Sequence, residues 1–438
     1  MFVLHRVPLL LIIPTIAVAV TDVKDPQKIS GLEGVWRADF NADTTRVIVQ
    51  MRSGALGLWD TTNGHPIPGD LGTLTAKGSY VKNAGATLAI VCFDAGKSRV
   101  FDLSTGSAVS PELNISIKHE IEPPAVCFSP DNSQAILFDD AGNCRIFEIQ
   151  SGLEVAKLSL PPRQVEREIR PGSAFSKDGK TALIFDASAT LHRYDVSTWK
   201  ESGQPMPHPD RNAYYSSFSS SDDALYAVTF DSPGENGPVG SLQLWDVMKS
   251  HQIGEPLHAQ NGMSGQFIDG GKRLLITPGR GDTRVVKVPS LETDFHLPRH
   301  DDVDASRAIV TADEKDILTC GCDSFVILTD ALSGKLIKRY SNPAHVRNVL
   351  TGQDANIAWL VYDNSAFFNT SYADYYIVRF DLGKMQPAAT LRINDFVHRS
   401  ILSLDGTRLM IHVGKTDHER IRLFEAKSLK ELPATADN

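Results

Sequence analysis

The sequence predicts an all-β protein in which a unit of four short strands is repeated nine times. The first observation is a recurring strand end, an aromatic or apolar residue followed by an acidic or polar one, as in Leu58-Trp59-Asp60. The second is an apolar segment interrupted by a turn sequence, such as Phe128-Ser129-Pro130-Asp131, ahead of each strand end. The third is that no helical period continues for more than a few residues after residue 19.

The middle residues of the nine strand ends define the repeat. Their spacings along the chain are 42, 46, 47, 51, 41, 43, 51 and 44 residues. Units of this size bury their faces only against neighbouring units. We therefore expect one closed β-propeller of four-stranded antiparallel blades over residues 31–438, with nine blades, or eight if the first or last unit is incomplete. The nine residues are Trp59, Phe101, Phe147, Tyr194, Trp245, Val286, Thr329, Phe380 and Phe424.

Each unit has the same predicted order of elements. An inner strand leads into a hairpin turn, a second strand follows, the aromatic-acidic segment forms the third strand, and an outer strand completes the blade. Asp-Gly and Pro-Asp sequences favour the turn because these residues adopt tight-turn conformations at little cost. Second strands are expected at residues 46–50, 87–93, 181–185, 225–230 and 408–413.

The first 19 residues have the pattern of an export signal peptide. His5 and Arg6 give a basic start, an apolar stretch follows, and Ala17-Val18-Ala19 supplies the small residues that a signal peptidase requires. The apolar stretch is shorter than the roughly 20 residues of a membrane-spanning helix. We therefore expect cleavage, no membrane span in the mature chain, and a periplasmic, extracellular or cell-surface location; an uncleaved N-terminal anchor is the alternative. Residues 20–30 form an N-terminal segment that could add a ring-closing strand, at residues 25–30.

Charge and composition exclude several classes of function. Asp and Glu number 53 against 44 Lys and Arg, a formal net charge of −9. This balance argues against a nucleic-acid partner, because clustered cations hold a polyanion. Cys320-Gly321-Cys322 is the one closely spaced cysteine pair, and no second pair completes a zinc site, so we expect no metal or cofactor. We expect Cys92 and Cys127 to be buried thiols.

The hairpin sequence Phe-Ser-Pro-Asp, the strand end Leu-Trp-Asp and the Thr-Gly turn after it resemble the repeat of WD-repeat proteins. The resemblance covers about residues 31–432, although only Trp59-Asp60 and Trp245-Asp246 carry the named dipeptide. It implies a propeller, for which seven blades is the usual number in that family. It also implies that a His ahead of an inner strand joins a hydrogen-bonded set ending at the third-strand Trp. His208 with Trp245 is the best candidate; His119, His258 and His300 occupy similar places.

Three insertions interrupt the repeat, and we expect them on a single face of the ring. They occupy second-to-third-strand turns or connections between blades, which emerge together in an up-and-down blade. Aromatic residues are enriched as anchors in protein interfaces. The insertions are residues 159–172 with Arg163, Arg167 and Arg170; residues 231–240, rich in Gly and Pro; and residues 363–376 with Phe367, Phe368, Tyr372, Tyr375 and Tyr376. We expect Tyr375 and Tyr376 to begin a third strand, with at least one facing the core.

These observations favour an exported, non-catalytic scaffold that binds a protein partner through the insertions. Gly-x-Ser-x-Gly, His-Glu-x-x-His and other catalytic motifs are absent, although propeller enzymes can build sites from distant blades. The alternatives are a hydrolase, lyase or redox enzyme with a site in the central channel, and a carbohydrate-binding propeller. Neither the partner nor the oligomeric state follows from the sequence. The predicted anchors are Phe367, Phe368 and Tyr372, with Arg163, Arg167 and Arg170 as a polar rim.

Overall fold

The structure is a computed structural model, and it describes most of the chain after residue 33. The described residues are 20–21, 34–62, 66–67, 71, 78–93, 97–115, 125–139, 142–161, 168–169, 171–208, 215–232, 240–259, 263–278, 281–300, 305–321, 323, 325–341, 345–363, 375–414 and 419–432. The predicted signal peptide and the predicted strand at residues 25–30 lie outside them.

Nine small antiparallel sheets form a propeller, so the predicted fold and the count of nine units are confirmed. In each blade the first strand is innermost and the later strands follow outward in chain order. A short strand, β1 (Val20–Thr21), precedes the blades. The strands of blades 1 to 3 are β2 (Val35–Phe40), β3 (Arg46–Met51) and β4 (Leu56–Asp60); β5 (Gly78–Lys82), β6 (Leu88–Phe93) and β7 (Lys97–Asp102); and β8 (Val126–Phe128), β9 (Gln134–Phe138), β10 (Cys144–Glu148) and β11 (Glu154–Leu158).

The remaining blades follow the same order, and a short strand, β12 (Glu168–Ile169), precedes blade 4. Blades 4 to 6 contain β13 (Gly172–Phe175), β14 (Thr181–Phe185), β15 (Thr190–Asp195), β16 (Lys200–Glu201) and β17 (Met206–Pro207); β18 (Tyr215–Ser220), β19 (Tyr226–Ser232), β20 (Gly240–Asp246) and β21 (His251–Ala259); and β22 (Met263–Ile268), β23 (Arg273–Pro278), β24 (Arg284–Lys287) and β25 (Thr293–His296). Blades 7 to 9 contain β26 (Ala305–Val310), β27 (Asp316–Gly321), β28 (Phe325–Asp330) and β29 (Leu336–Ser341); β30 (His345–Thr351), β31 (Ile357–Asp363), β32 (Tyr375–Asp381) and β33 (Gln386–Ile393); and β34 (Val397–Leu402), β35 (Arg408–Val413) and β36 (Arg420–Glu425).

Nine buried apolar clusters hold the ring together, and each lies between two consecutive blades. The ring closes where Val35 and Val49 of blade 1 pack in one cluster with Met410 and Leu423 of blade 9. Trp59, predicted to be structural, is 3% exposed and belongs to this closing cluster. Because every blade buries its faces against both neighbours, the ring is a single packing unit.

The turn between the first two strands of a blade is built around one side-chain oxygen. In blade 3, the Ser129 hydroxyl donates to the Asp131 carboxylate at 2.6 Å and accepts from the Gln134 N–H at 2.9 Å. This side-chain bonding stabilises a tight turn without help from other blades, which is why the turn sequence recurs. The same arrangement pairs Ser176 with Asp178, Ser221 with Asp223, Thr311 with Asp313, and Ser403 with Asp405.

The acidic residue of the recurring strand end also has a local role. In blade 2, the Asp102 carboxylate accepts hydrogen bonds from the backbone N–H of Ser104 at 2.8 Å and of Thr105 at 3.0 Å. Gly106 then adopts a φ of +73°, which favours glycine. Against the opposing effect of burial, a hydrogen bond from the Ser104 hydroxyl and these two backbone hydrogen bonds hold the pKa of Asp102 below its usual range. The acidic residue at the strand end therefore stabilises the turn that follows it.

Up-and-down strand order divides the turns between two faces of the ring. The first-to-second and third-to-fourth turns lie on one face, which we call the hairpin face. The second-to-third turns and the connections between blades lie on the other, which we call the insertion face. All three predicted insertions depart from strand ends on the insertion face, after β11, β19 and β31. Among the described residues, no helix is long and apolar enough to cross a membrane.

Candidate functional site

The aromatic anchors predicted from the sequence, Phe367, Phe368 and Tyr372, lie outside the described residues. The strand ends that carry their loop are described: β31 ends at Asp363, β32 begins at Tyr375, and these two residues are partners in the sheet register. The loop therefore leaves blade 8 from a closed, paired strand end on the insertion face.

The two tyrosines that follow the loop are part of blade 8. Tyr375 is 4% exposed, and its ring meets Phe396 edge-on with 5.5 Å between the ring centroids. Tyr376 stacks on Tyr362 with 5.2 Å between centroids and 14° between the ring planes. The prediction that Tyr375 and Tyr376 begin a third strand, with at least one facing the core, is confirmed.

Part of the first insertion lies against the central channel. Arg163, Arg167 and Arg170 are outside the described residues, but Glu168–Ile169 between them forms β12. This strand pairs in parallel with the start of β18, which is the innermost of the four consecutive strands of blade 5. The free edge of an innermost strand borders the channel, so β12 lies at the channel mouth. The sequence alone predicted only a rim loop at this place.

His208 and Trp245 meet through one hydroxyl group in blade 5. The Nδ1 of His208 lies 2.7 Å from the Thr229 Oγ1, and the Trp245 indole N–H donates to the same oxygen at 3.0 Å. On the other side of the His208 imidazole, the Nε2 atom lies 2.9 Å from the Ser241 hydroxyl, which donates to Asp231 at 3.1 Å. All five side chains are buried, so the set is a hydrogen-bonded network that joins β19 and β20 to the preceding connection.

The other predicted histidines divide into two groups. In blade 7, the His300 Nδ1 lies 2.8 Å from an Asp323 carboxylate oxygen and its Nε2 lies 3.1 Å from the Thr319 hydroxyl. Blade 7 therefore has a buried histidine bonded to a threonine, as in blade 5. His258 lies in the outer strand β21 and is exposed, so it does not occupy the place that was predicted for it ahead of an inner strand. His119 lies outside the described residues.

Among the described cysteines, Cys92, Cys144 and Cys320 are buried, as predicted for Cys92, whereas Cys127 is half-buried. Burial raises the pKa of Cys92 to about 12 and that of Cys127 to about 11, so both remain protonated at neutral pH. Cys320 is 1% exposed, and its predicted companion Cys322 lies outside the described residues. Within the described ranges, no group of three His, Cys, Asp or Glu side chains is arranged to hold a metal ion.

The innermost strands of blades 9, 1 and 2 bring together charged side chains that we call the channel cluster: Arg37, Asp39, Tyr80, Lys82 and Arg399. Asp39 is its centre, accepting hydrogen bonds from the Tyr80 hydroxyl at 2.7 Å and from the Arg37 Nε at 3.0 Å. The Lys82 Nζ and the Arg399 Nη2 approach the other Asp39 oxygen to 3.6 and 4.0 Å. Burial and the Asp39 charge raise the pKa of Tyr80 well above its usual value, so its hydroxyl is neutral. Three cations therefore share one carboxylate.

A second charged group lies on the insertion face where the ring closes. Arg52 of blade 1 donates to both carboxylate oxygens of the fully buried Glu419 of blade 9. The Nε2 atoms of His398 and His412 each lie 3.2 Å from this carboxylate. Trp36, which is 38% exposed, lies under the Arg52 guanidinium at 5.2 Å.

Comparison with known proteins bears on the fold. No protein-family model and no curated protein matches the chain. The chain is similar to the C-terminal WD40 domain of Sif2, with a TM-score of 0.53 and 12% identity over 92% of this chain and 99% of that one. It has a β-propeller fold like that of this WD40 domain. A crystal structure described as the eukaryotic initiation factor is also similar, with a TM-score of 0.63 and 12% identity over 92% of this chain and 95% of the other. At such identities the likeness concerns the fold alone.

Proposed function

We propose that the protein is an exported, non-catalytic propeller that binds a protein partner on its insertion face. The observation that carries the proposal is topological: all three insertions depart from strand ends on that one face. A rigid ring with loops grafted on one side is suited to presenting a binding surface, because the scaffold limits the ordering cost of the loops. Export rests on the signal pattern of residues 1–19.

Phe367, Phe368 and Tyr372 are the proposed apolar anchors, and Arg163, Arg167 and Arg170 form the proposed polar rim. The exposed Trp36 at the channel mouth adds a described aromatic group on the same face. Aromatic and Arg side chains carry much of the binding energy in protein interfaces. The partner is therefore expected to place an apolar patch over the blade 8 loop.

Capture from the exported compartment tests the proposal. Tagged wild-type protein is compared with the triple variant F367A/F368A/Y372A, and co-purifying proteins are quantified by mass spectrometry. The matched control removes two exposed apolar side chains from the hairpin face, Leu332 at 76% and Met248 at 55% exposure, as L332A/M248A. We expect one partner to be lost at least tenfold in the triple variant and retained in the control. Equal recovery in all three proteins would overturn the proposed anchors, and a small molecule bound in the channel instead would favour an enzyme.

A further inference from the structure

The channel cluster has more positive charge than its own carboxylate can neutralise. Arg37, Lys82 and Arg399 face a single anion, Asp39, and Tyr80 is neutral, which leaves a charge of +2 on the innermost strands of blades 9, 1 and 2. The chain as a whole carries a net charge of −9, so this local excess is opposite in sign to the whole protein. Same-sign charges concentrated in a concave site attract a ligand of the other sign.

Two of the three cations have unfilled donor capacity. A charge-assisted N–H···O hydrogen bond spans about 2.7–2.9 Å, whereas Lys82 and Arg399 approach Asp39 only to 3.6 and 4.0 Å. Within the described part of the chain, neither side chain donates a hydrogen bond to another group. The Lys82 side chain is 26% exposed and the Arg399 side chain is 47% exposed, and both residues lie on innermost strands, which border the channel.

Arg37 is held differently and acts as a fixed support. It donates to Asp39 at 3.0 Å and to the Tyr80 backbone carbonyl at 3.1 Å, and its guanidinium lies 4.5 Å from the centre of the Tyr80 ring. Asp39 is thereby fixed between blades 1 and 2. Lys82 of blade 2 and Arg399 of blade 9 approach this fixed carboxylate from the two neighbouring blades. Both are cations on long, flexible side chains.

We propose that the channel cluster binds a carboxylate-rich segment of the protein partner, with Lys82 and Arg399 as the residues that contact its acidic side chains. This inference rests on the proposed function, since it names the chemistry of the same partner. Charge complementarity selects an acidic segment, and an extended peptide reaches the cluster along the central channel. Arg399 can hold a carboxylate through two parallel N–H donors, whereas Lys82 supplies a point charge.

The probe is a fluorescein-labelled hexaglutamate peptide, with hexaglutamine as the uncharged reference. Binding to the exported full chain is measured by fluorescence anisotropy at low ionic strength, because salt screens such contacts. The double variant K82Q/R399Q is compared with K177Q/K180Q, which removes the same charge from side chains 82% exposed on the hairpin face. We expect hexaglutamate to bind and hexaglutamine not to bind. K82Q/R399Q should weaken binding at least tenfold, and K177Q/K180Q should change it less than twofold.

A variant of opposite effect separates a binding defect from damage to the fold. Asp39→Asn removes the competing carboxylate while keeping the side-chain shape, and should tighten hexaglutamate binding severalfold. Equal loss in both lysine-containing double variants, or weaker binding by D39N at unchanged melting temperature, would overturn the inference. Equal competition by inorganic phosphate would also overturn it, because the cluster would then be a small-anion site.

The same variants distinguish this inference from the proposed function. If a captured partner is lost from F367A/F368A/Y372A but kept by K82Q/R399Q, the proposed function stands and the acidic-segment inference fails. If hexaglutamate binding follows the channel variants while no partner depends on the blade 8 loop, the inference stands and the proposed anchors fail.

Discussion

Arg52 and Glu419 are 367 positions apart in the sequence, yet the Arg52 guanidinium donates hydrogen bonds to both oxygens of the Glu419 carboxylate. A backbone hydrogen bond also joins the two blades, because the Gly34 N–H donates to the Glu419 carbonyl at 2.7 Å. Polar contacts thus supplement the closing apolar cluster of Val35, Val49 and Met410. This joint holds together the two blades that lie farthest apart in the sequence.

Arg52→Gln should weaken this joint by leaving Glu419 buried without its cation. Removing one partner of a fully buried pair costs about 3–5 kcal/mol, and we expect about 2 kcal/mol here because Arg52 is 37% exposed. Lys97→Gln is the control, since it breaks an exposed pair with Glu112 and should cost less than about 0.5 kcal/mol. Chemical denaturation gives both free energies. Equal small losses would show that the pair does not stabilise ring closure.

His412 should make the joint sensitive to acid. Burial, together with the neighbouring His398 and Arg52 charges, lowers the pKa of His412 to about 4, although the Glu419 carboxylate opposes this. The unfolded chain therefore takes up a proton below about pH 6.5 that the folded chain does not bind, so stability falls as pH drops from 6.5 towards 4. Between pH 6.5 and 5 we expect wild type to lose about 2 kcal/mol relative to H412Q. Parallel pH profiles for the two proteins would refute this assignment.

The hydrogen-bonded network of blade 5 can be tested with two threonines. Thr229→Val removes the hydroxyl shared by His208 and Trp245, and should destabilise the fold by about 2–4 kcal/mol because two buried groups lose their partner. Thr329→Val is the matched control in blade 7, where the buried hydroxyl has no hydrogen-bond partner among the described residues. That change should be neutral or stabilising. The network account would be wrong if both variants melted at the same temperature.

Export predicts a specific N-terminus for the mature chain. Cleavage after Ala17-Val18-Ala19 leaves Val20 as the first residue, and intact-mass spectrometry of the exported protein should show this. Ala19→Gln should block cleavage and leave the precursor mass. Recovery of the full-length chain in the membrane fraction, for wild type as well as A19Q, would support an uncleaved anchor.

The fold followed from the sequence because its signals are local. The Ser129 and Asp131 turn and the Asp102 turn each form from residues within a few positions of one another, so each repeat carries its own evidence. His208 and Trp245 could be paired for the same reason, since both belong to one repeat and its preceding connection. The nine-blade count depended only on counting these local units.

The channel cluster and the closing pair were not predicted, because their members come from different blades. Arg37 and Arg399 lie four residues before the turn residues Asn41 and Ser403, so aligning the repeats would have shown two cations at one register position. Nothing in the local sequence indicated that Arg52 meets Glu419. Likewise, the pairing of β12 with β18 joins the connection between blades 3 and 4 to the inner strand of blade 5, and this contact depends on how the blades pack.

Hydrogen–deuterium exchange of the protein with its captured partner tests the central claim most directly. The account predicts that protection on binding is confined to the insertion face: the blade 8 loop at residues 364–374, the segment around β12, and the channel mouth near Trp36. Peptides from the hairpin face, such as those containing Leu332 and Met248, should exchange as in the free protein. Protection confined to the hairpin face or to the outer strands would contradict the account.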